Sequence, residues 1–582
     1  MSADQAHEVM LPVSRGCDLP AYADNTNELR RRTGVAWGRD VPDLVVSGAT
    51  VLLPTGELQP LDIAVVGRRI AAVAPDLVIA GARRIDATGK VIVPGYVEPH
   101  AHVFGPYSAG TFIGEAVARG IACIVADDSY LYGLLDADDY PRLLDLSARV
   151  PTVLRWSLRP EPWPRRLLRH EATRLLDRSD VNQVGEVATH PELWGLDEGL
   201  ARMLVGARAA GARIEGHSPG ASPRTIGAAA AAGITADHES ISGAEVTARL
   251  RMGMWAFLRH NGLRPDVPEM IRALLEQGVP LERTAFTVDG GTPGWINRKG
   301  LIDSAITAAI GAGLEPTEAY AMASWRPASY EGLDAHVGMI APGRLASFNV
   351  LAALSEPRPE LVFAAGVLVA RDGKMLEPVP DVPWEALRVA TWSNRRERLD
   401  EHEFWLRPDD PSVHLESQAI LRAGPGAGPE LACAVFDPVR ERIIRARIFG
   451  LAAGWRGLVS TLTPERLLVA VGSDPFALKR CVDSVFDAGG GIAFWGPDGV
   501  DLLPLPFGGA ITAAPFCEIS AFYARLQRYA ASIGCAYDEP TTTLMFIADD
   551  GLPGARMLSQ GLVDMRSGQV LKEATPARWV VL

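Results

Sequence analysis

The sequence predicts an α/β protein: a (β/α)8 barrel of the TIM type, a small β-sandwich built from the two segments that bracket it, and a C-terminal α/β domain. Three observations carry this prediction. Between residues 91 and 337 short β-branched, apolar runs alternate with helical stretches at the spacing of βα units. The segments on either side, 42–90 and 338–380, read as short strands separated by turn residues, so together they make one sandwich. Beyond residue 381 strands and helices resume after a shift in composition, and 582 residues are too many for one ordinary domain.

Taken in order, residues 1–41 form a polar N-terminal extension whose basic cluster, Arg30-Arg31-Arg32, reads as solvated surface. Strands follow at 43–46, 51–53, 61–66, 70–73 and 83–85, with Gly56, Gly67 and Gly89 in the turns. The barrel strands are placed at 91–97, 122–126, 152–157, 183–188, 213–215, 233–236, 255–258 and 284–288. Helices are expected between several of them, for example at 196–210 and 268–276. In the last domain the stretch Ala423 to Pro429 is a glycine-rich turn without the lysine of a phosphate loop. Strands are expected at 467–471, 490–494 and 542–546, and helices at 476–488 and 519–533.

Composition narrows the class of function. A formal charge of −13 argues against a general nucleic-acid binder, which needs a basic surface to displace counterions from phosphates. No apolar run approaches the roughly 18 to 20 residues that span a bilayer, and the start lacks a basic region followed by an apolar one. The expectation is a cytoplasmic protein with a small-molecule partner, no nucleic acid and no membrane. Six scattered cysteines, with no C-x-x-C pair, suit reduced thiols better than a disulfide framework or a cysteine zinc site.

In a barrel of this type the chemistry sits at the C-terminal ends of the strands. Reading only those positions gives His100 and His102 after strand 1, Glu186 at strand 4, His217 at strand 5, His238 and Glu239 at strand 6, and Asp289 at strand 8. His100 and His102 are two apart, so their side chains share one face of a strand. Four imidazoles and two carboxylates (Glu186 and Asp289) suit two borderline divalent ions, Mn, Fe or Zn, with Glu186 placed to bridge them. Such ions acidify a shared water and supply a hydroxide near neutral pH. Asp289 is expected both to hold a metal and to relay the proton of that water, and Glu239 to protonate a ring nitrogen or leaving amine or to cap the next helix. Of the remaining histidines only His190, four residues after Glu186, is placed to reach the pocket.

This pattern resembles the amidohydrolase superfamily, and within it the bacterial adenine deaminases. The supporting segments include Gly185-Glu186-Val187-Ala188-Thr189-His190-Pro191, Glu215-Gly216-His217-Ser218-Pro219-Gly220 and Ala236-Asp237-His238-Glu239. Further support comes from Arg249-Leu250-Arg251-Met252-Gly253-Met254 and, near the C-terminus, Gln560-Gly561-Leu562-Val563-Asp564. The resemblance implies a dinuclear centre bridged by Glu186, hydrolysis of adenine to hypoxanthine and ammonia, and a homo-oligomer. Three stretches depart from the family pattern. Val103 to Ser108 replaces an Ile-Glu-Ser-Ser-like continuation, Asp127-Asp128-Ser129-Tyr130 replaces an Asp-Pro-His-Glu-like loop, and Ser460 to Glu465 replaces a His-Asp-Ser-His-like segment. Phe104, Tyr107, Ser129, Tyr130 and His190 are therefore the expected substrate-binding residues, and three of them are bulky aromatics that make the pocket more apolar. A ligand set kept while pocket residues change leaves a second expectation: the same hydroxide cleaving a cyclic or N-acyl amide of a more apolar substrate.

Overall fold

The computed structural model describes residues 25–77, 81–127, 130–160, 169–188, 195–392 and 397–580. Its first part is a nine-stranded mixed sheet to which both flanking segments contribute. The strands β1 (Leu44–Leu52), β2 (Leu58–Val66), β3 (Arg69–Ala74), β4 (Arg83–Asp86) and β5 (Val91–Pro94) come from one flank. From the other come β14 (Phe348–Leu351), β15 (Leu361–Ala364), β16 (Val367–Arg371) and β17 (Lys374–Met375), with β14 antiparallel to β5. Ile63, Val65 and Ile92 of the first flank pack with Ile340, Phe348 and Phe363 of the second in one core.

Between the flanks lies the barrel. Its strands are β6 (Tyr96–His102), β7 (Ile121–Asp127), β8 (Val153–Leu158), β9 (Val181–Ala188), β10 (Arg213–His217), β11 (Ala236–Asp237), β12 (Trp255–Arg259) and β13 (Thr284–Thr287). Each pairs in parallel with the next in chain order, making an eight-stranded sheet. β7 and β9 are buried along their whole length, as expected of strands covered on both faces. The seam between β13 and β6 is closed by side chains. The Glu98 carboxyl takes the Val288 N–H at 2.9 Å and the His100 N–H at 3.1 Å, and Thr287 Oγ1 lies 2.7 Å from both Glu98 Oε1 and the His100 carbonyl. Burial outweighs these contacts and pushes the Glu98 carboxyl up, to about 8.

The predicted first strand is in fact two. Val91–Pro94 belongs to the flanking sheet, and the barrel strand starts afresh at Tyr96. Gly95 makes the break, because a Cβ there would stand 2.4 Å from the Ala122 Cβ. His100 and His102 thus lie inside β6, at its end, rather than after it. A second correction concerns residues 542–546, expected as a strand for their threonines and apolar run. They lie in the helix Pro540–Ile547, which Pro540 opens at its first position. The other expected helices are present as Glu198–Ala209, Val267–Glu276, Pro475–Asp487 and Phe516–Ser532.

The C-terminal part carries a second nine-stranded sheet, and its loops sit on those of the barrel mouth. The Thr512 N–H donates to the Pro106 carbonyl at 2.9 Å, and Tyr130 Oη donates to Met545 Sδ at 3.1 Å. The buried Arg466 guanidinium donates to the carbonyls of Gly133 at 3.1 Å and Thr391 at 2.8 Å. Among the described residues no helix is long and apolar enough to cross a membrane.

Candidate metal centre

The alternation of side chains along a strand builds this site. Glu98, His100 and His102 lie two residues apart on β6, as do Glu215 and His217 on β10, and each set faces one way. Glu186 comes from β9, His238 and Glu239 from the turn after β11, and Asp289 from the turn after β13. Asp237 sets that first turn by accepting from Arg249 Nε at 2.5 Å and from the Glu239 N–H at 3.0 Å. Asp289 has a positive φ of 52°, and Gly290 follows with its Cα against His102, where a Cβ would come within 3.1 Å of the imidazole-bearing Cβ.

Glu186 is central to the cluster. Its Oε1 lies 3.2 Å from His100 Nε2, 3.5 Å from His102 Nε2 and 3.8 Å from His238 Nε2, and its Oε2 lies 3.0 Å from His217 Nδ1. Asp289 Oδ1 lies 3.1 Å from His100 Nε2, 3.2 Å from His102 Nε2 and 3.8 Å from His238 Nε2. The six residues read as ligands are thus drawn into one cluster. His100 Nε2, His238 Nε2, His217 Nδ1 and Asp289 Oδ1 are buried and make no well-aligned hydrogen bond. Buried donors and acceptors left unpaired are costly, and these converge. Three groups of ligand atoms, each within 4.8 Å of one another, can be drawn here: His100, Glu186, His238 and Asp289; His100, His102 and Asp127; His217, His238 and Glu239. Neutral imidazoles with carboxylates fit one or two borderline divalent ions.

The electrostatics are those of a charged pocket cut off from water. Burial raises the Asp289 carboxyl, but the Arg259 guanidinium and the imidazoles of His100 and His102 overcome this and hold it well below the usual carboxylate range. Burial likewise opposes ionisation of Glu239, yet Arg259, His217 and Arg264 bring it down to about 2. Arg259 Nη1 is 2.5 Å from Glu239 Oε1 and also holds Asp289, and Arg264 Nη2 is 2.8 Å from Glu239 Oε2. Glu239 therefore stands ionised and doubly clamped, an acceptor before it can be a donor. The open side is marked by His102 at 22% exposure, His217 at 15% and Asp289 at 12%, with Arg159 beside them.

The expected substrate-binding residues separate. Phe104 is buried between Trp156 and Trp384, with ring centroids at 6.4 and 5.9 Å. Tyr107 is buried too and donates to the Gly291 carbonyl at 2.9 Å, in the loop that carries Asp289. Tyr130 is half-buried at the joint with the C-terminal part. Ser129 and His190 lie outside the described residues.

Several charged neighbours escaped the sequence reading. Asp127, at the end of β7, is 3.3 Å from His102 Nδ1, and Arg159, just past β8, reaches Asp127 at 3.0 Å and Glu186 at 3.2 Å. Glu215 meets two histidines, and Arg259 ends β12, a strand to which no chemistry had been given. The signal for Glu215 was present, since it stands two residues before His217 on one strand face.

Comparison with known proteins agrees with this geometry. The model of the amidohydrolase family matches residues 187–375, and that of the adenine deaminase C-terminal domain matches residues 428–569. An adenine deaminase of Cenarchaeum symbiosum is 28% identical over 95% of this chain and 96% of its own length. Another, of Deinococcus deserti, is 26% identical over 95% of this chain and 99% of its own. Barrel, converging ligand set and full-length relatives lead to one assignment: the chain belongs to the amidohydrolase superfamily.

Proposed function

We propose that the protein is a metal-dependent hydrolase of carbon–nitrogen bonds that deaminates adenine or a related amino-heterocycle. The observation that carries this reading is the convergence of His100 Nε2, His238 Nε2, His217 Nδ1 and Asp289 Oδ1, buried and without a well-aligned hydrogen bond, around the Glu186 carboxylate. His100, His102, Glu186, His217, His238 and Asp289 would hold the ions, which when bound acidify a water and polarise the substrate. Asp289, kept ionised by Arg259, would accept a proton from the attacking water as the water oxygen adds to the amidine carbon. Arg259 turns the carboxylate toward the cluster. Glu239, ionised and clamped by Arg259 and Arg264, would take the second proton of the water from the added oxygen and pass it to the ring nitrogen. The proton on Asp289 goes to the exocyclic nitrogen, the C–N bond breaks, ammonia leaves and the ring carbon keeps the water oxygen as a carbonyl. Tyr130, half-buried on a loop that meets the C-terminal part, is the aromatic residue we assign to a face of the substrate.

A second reading has its own support in Arg159. Its guanidinium stands 3.2 Å from Glu186 at the open side, where a carboxylate beside an N-acyl or cyclic amide would meet it. Ammonia release and amide cleavage, followed on a panel of purines, amino-heterocycles, cyclic amides and N-acyl compounds with Mn- or Zn-loaded protein, separate the two. Deamination is supported if ammonia appears from an amino-heterocycle. Inert purines together with a cleaved amide overturn it in favour of the second.

A further inference from the structure

Glu215 lies outside the predicted ligand set, yet it is among the most enclosed charges in the molecule, with no exposure. Its Oε2 is 2.7 Å from His100 Nδ1 and 2.6 Å from Gln183 Nε2, and its Oε1 is 3.0 Å from His238 Nδ1. The two imidazoles stand side by side, centroids 4.3 Å apart and planes inclined by 21°. Both turn the opposite nitrogen, Nε2, toward Glu186 and Asp289. An imidazole that donates from Nδ1 to a carboxylate presents a lone pair at Nε2, so one carboxylate presets two donor atoms. The two rings also occupy different ends of the cluster. His100 is grouped with His102 and Asp127, His238 with His217 and Glu239, and only the middle group contains both.

We propose that Glu215 is a positioning residue that fixes the tautomer and orientation of His100 and His238 together, and thereby couples the filling of the two ends of the metal centre. A cation drawing on His100 Nε2 orders Glu215, and Glu215 orders His238 for the second cation. Asp127 offers the contrast, because it stands 3.3 Å from His102 Nδ1 and is grouped with ligands of one end of the cluster alone. The inference rests on reading the cluster as a metal centre.

Stepwise zinc binding to the full chain, measured by competition with a chromophoric chelator, tests it. Wild type is expected to bind two zinc ions. In Glu215→Gln the amide keeps the shape but turns an NH2 toward an imidazole N–H, and both binding steps should weaken by roughly 10- to 100-fold. Glu215→Asp keeps the charge but withdraws it by one methylene, and both steps should weaken again. Asp127→Asn should weaken one step alone. Far-UV circular dichroism and thermal unfolding of the metal-free variants verify that they are folded. A second measurement needs no variant at Glu215: in zinc-loaded wild type, 15N spectra of the histidines should show His100 and His238 protonated at Nδ1. Wild-type zinc affinity in Glu215→Gln, loss of only one step, a normal Glu215→Asp, or a proton on Nε2 of either ring would overturn the role of Glu215. Wild type that holds no zinc would instead overturn the metal reading itself.

Discussion

Arg259 shows how much of this site is decided by single side chains. One guanidinium contacts both Glu239 and Asp289, the two residues assigned to proton transfer. Replacing Asp289 by Asn removes the proton acceptor with little change in shape, and kcat should fall by roughly 10²- to 10⁴-fold while the melting temperature stays near wild type. Arg259→Met acts on pH. Without the cation the Glu239 carboxyl rises from about 2 toward its ordinary 4.5, so the acid limb of kcat/KM should move to higher pH, as a rate profile from pH 4 to 8 would show. The same shift bears on stability. A carboxyl depressed in the folded state stabilises above its unfolded pKa and loses that contribution as pH falls from 4.5 through about 2. The sequence made the candidate ligands legible because metal-binding types fell at barrel strand ends. Arg159, Arg259 and Arg264 stayed hidden because arginine after a strand is ordinary surface chemistry, and only the folded mouth turns these three inward.

At the level of elements, β6 is where alternation and backbone geometry meet. Its period places Glu98, His100 and His102 on one face, and that much follows from the sequence. The break at Gly95 does not, because an unbroken apolar run from Val91 to Val97 reads as one strand until the neighbouring sheet claims Val91–Pro94. Gly95→Ala is predicted to destabilise by more than about 2 kcal/mol, since its Cβ would collide with that of Ala122 and push β6 away from β7. Denaturant unfolding measures this, and metal affinity should fall with it. The helix Pro540–Ile547 teaches the converse. Its threonines favour a strand in isolation, but Leu544 and Ile547 are buried on one side of a helical turn, and tertiary packing overrides the local preference.

Across the whole molecule the C-terminal part is joined to the mouth of the barrel rather than to its base. Arg466 bonds to carbonyls of Gly133, Ala390, Thr391 and Gly508, bringing together the loop after β7, the connection between the parts and the C-terminal sheet. Arg466→Ala removes the donor shared by these carbonyls, three of them in buried residues, and limited proteolysis should then cut the connection near residue 390 faster than in wild type. The order of the parts was legible from composition and strand spacing. Their joint was not, because it depends on single contacts such as Tyr130 with Met545, more than 400 residues apart in the chain. The decisive observation for the centre as a whole is where zinc sits in crystals of the loaded protein, located by anomalous scattering. Two peaks roughly 3.5–4 Å apart, one on each side of Glu186 and within bonding distance of His100, His102, His217, His238 and Asp289, are predicted; no peak at Glu186, or one bound elsewhere on the chain, would contradict the metal centre on which the hydrolase reading stands.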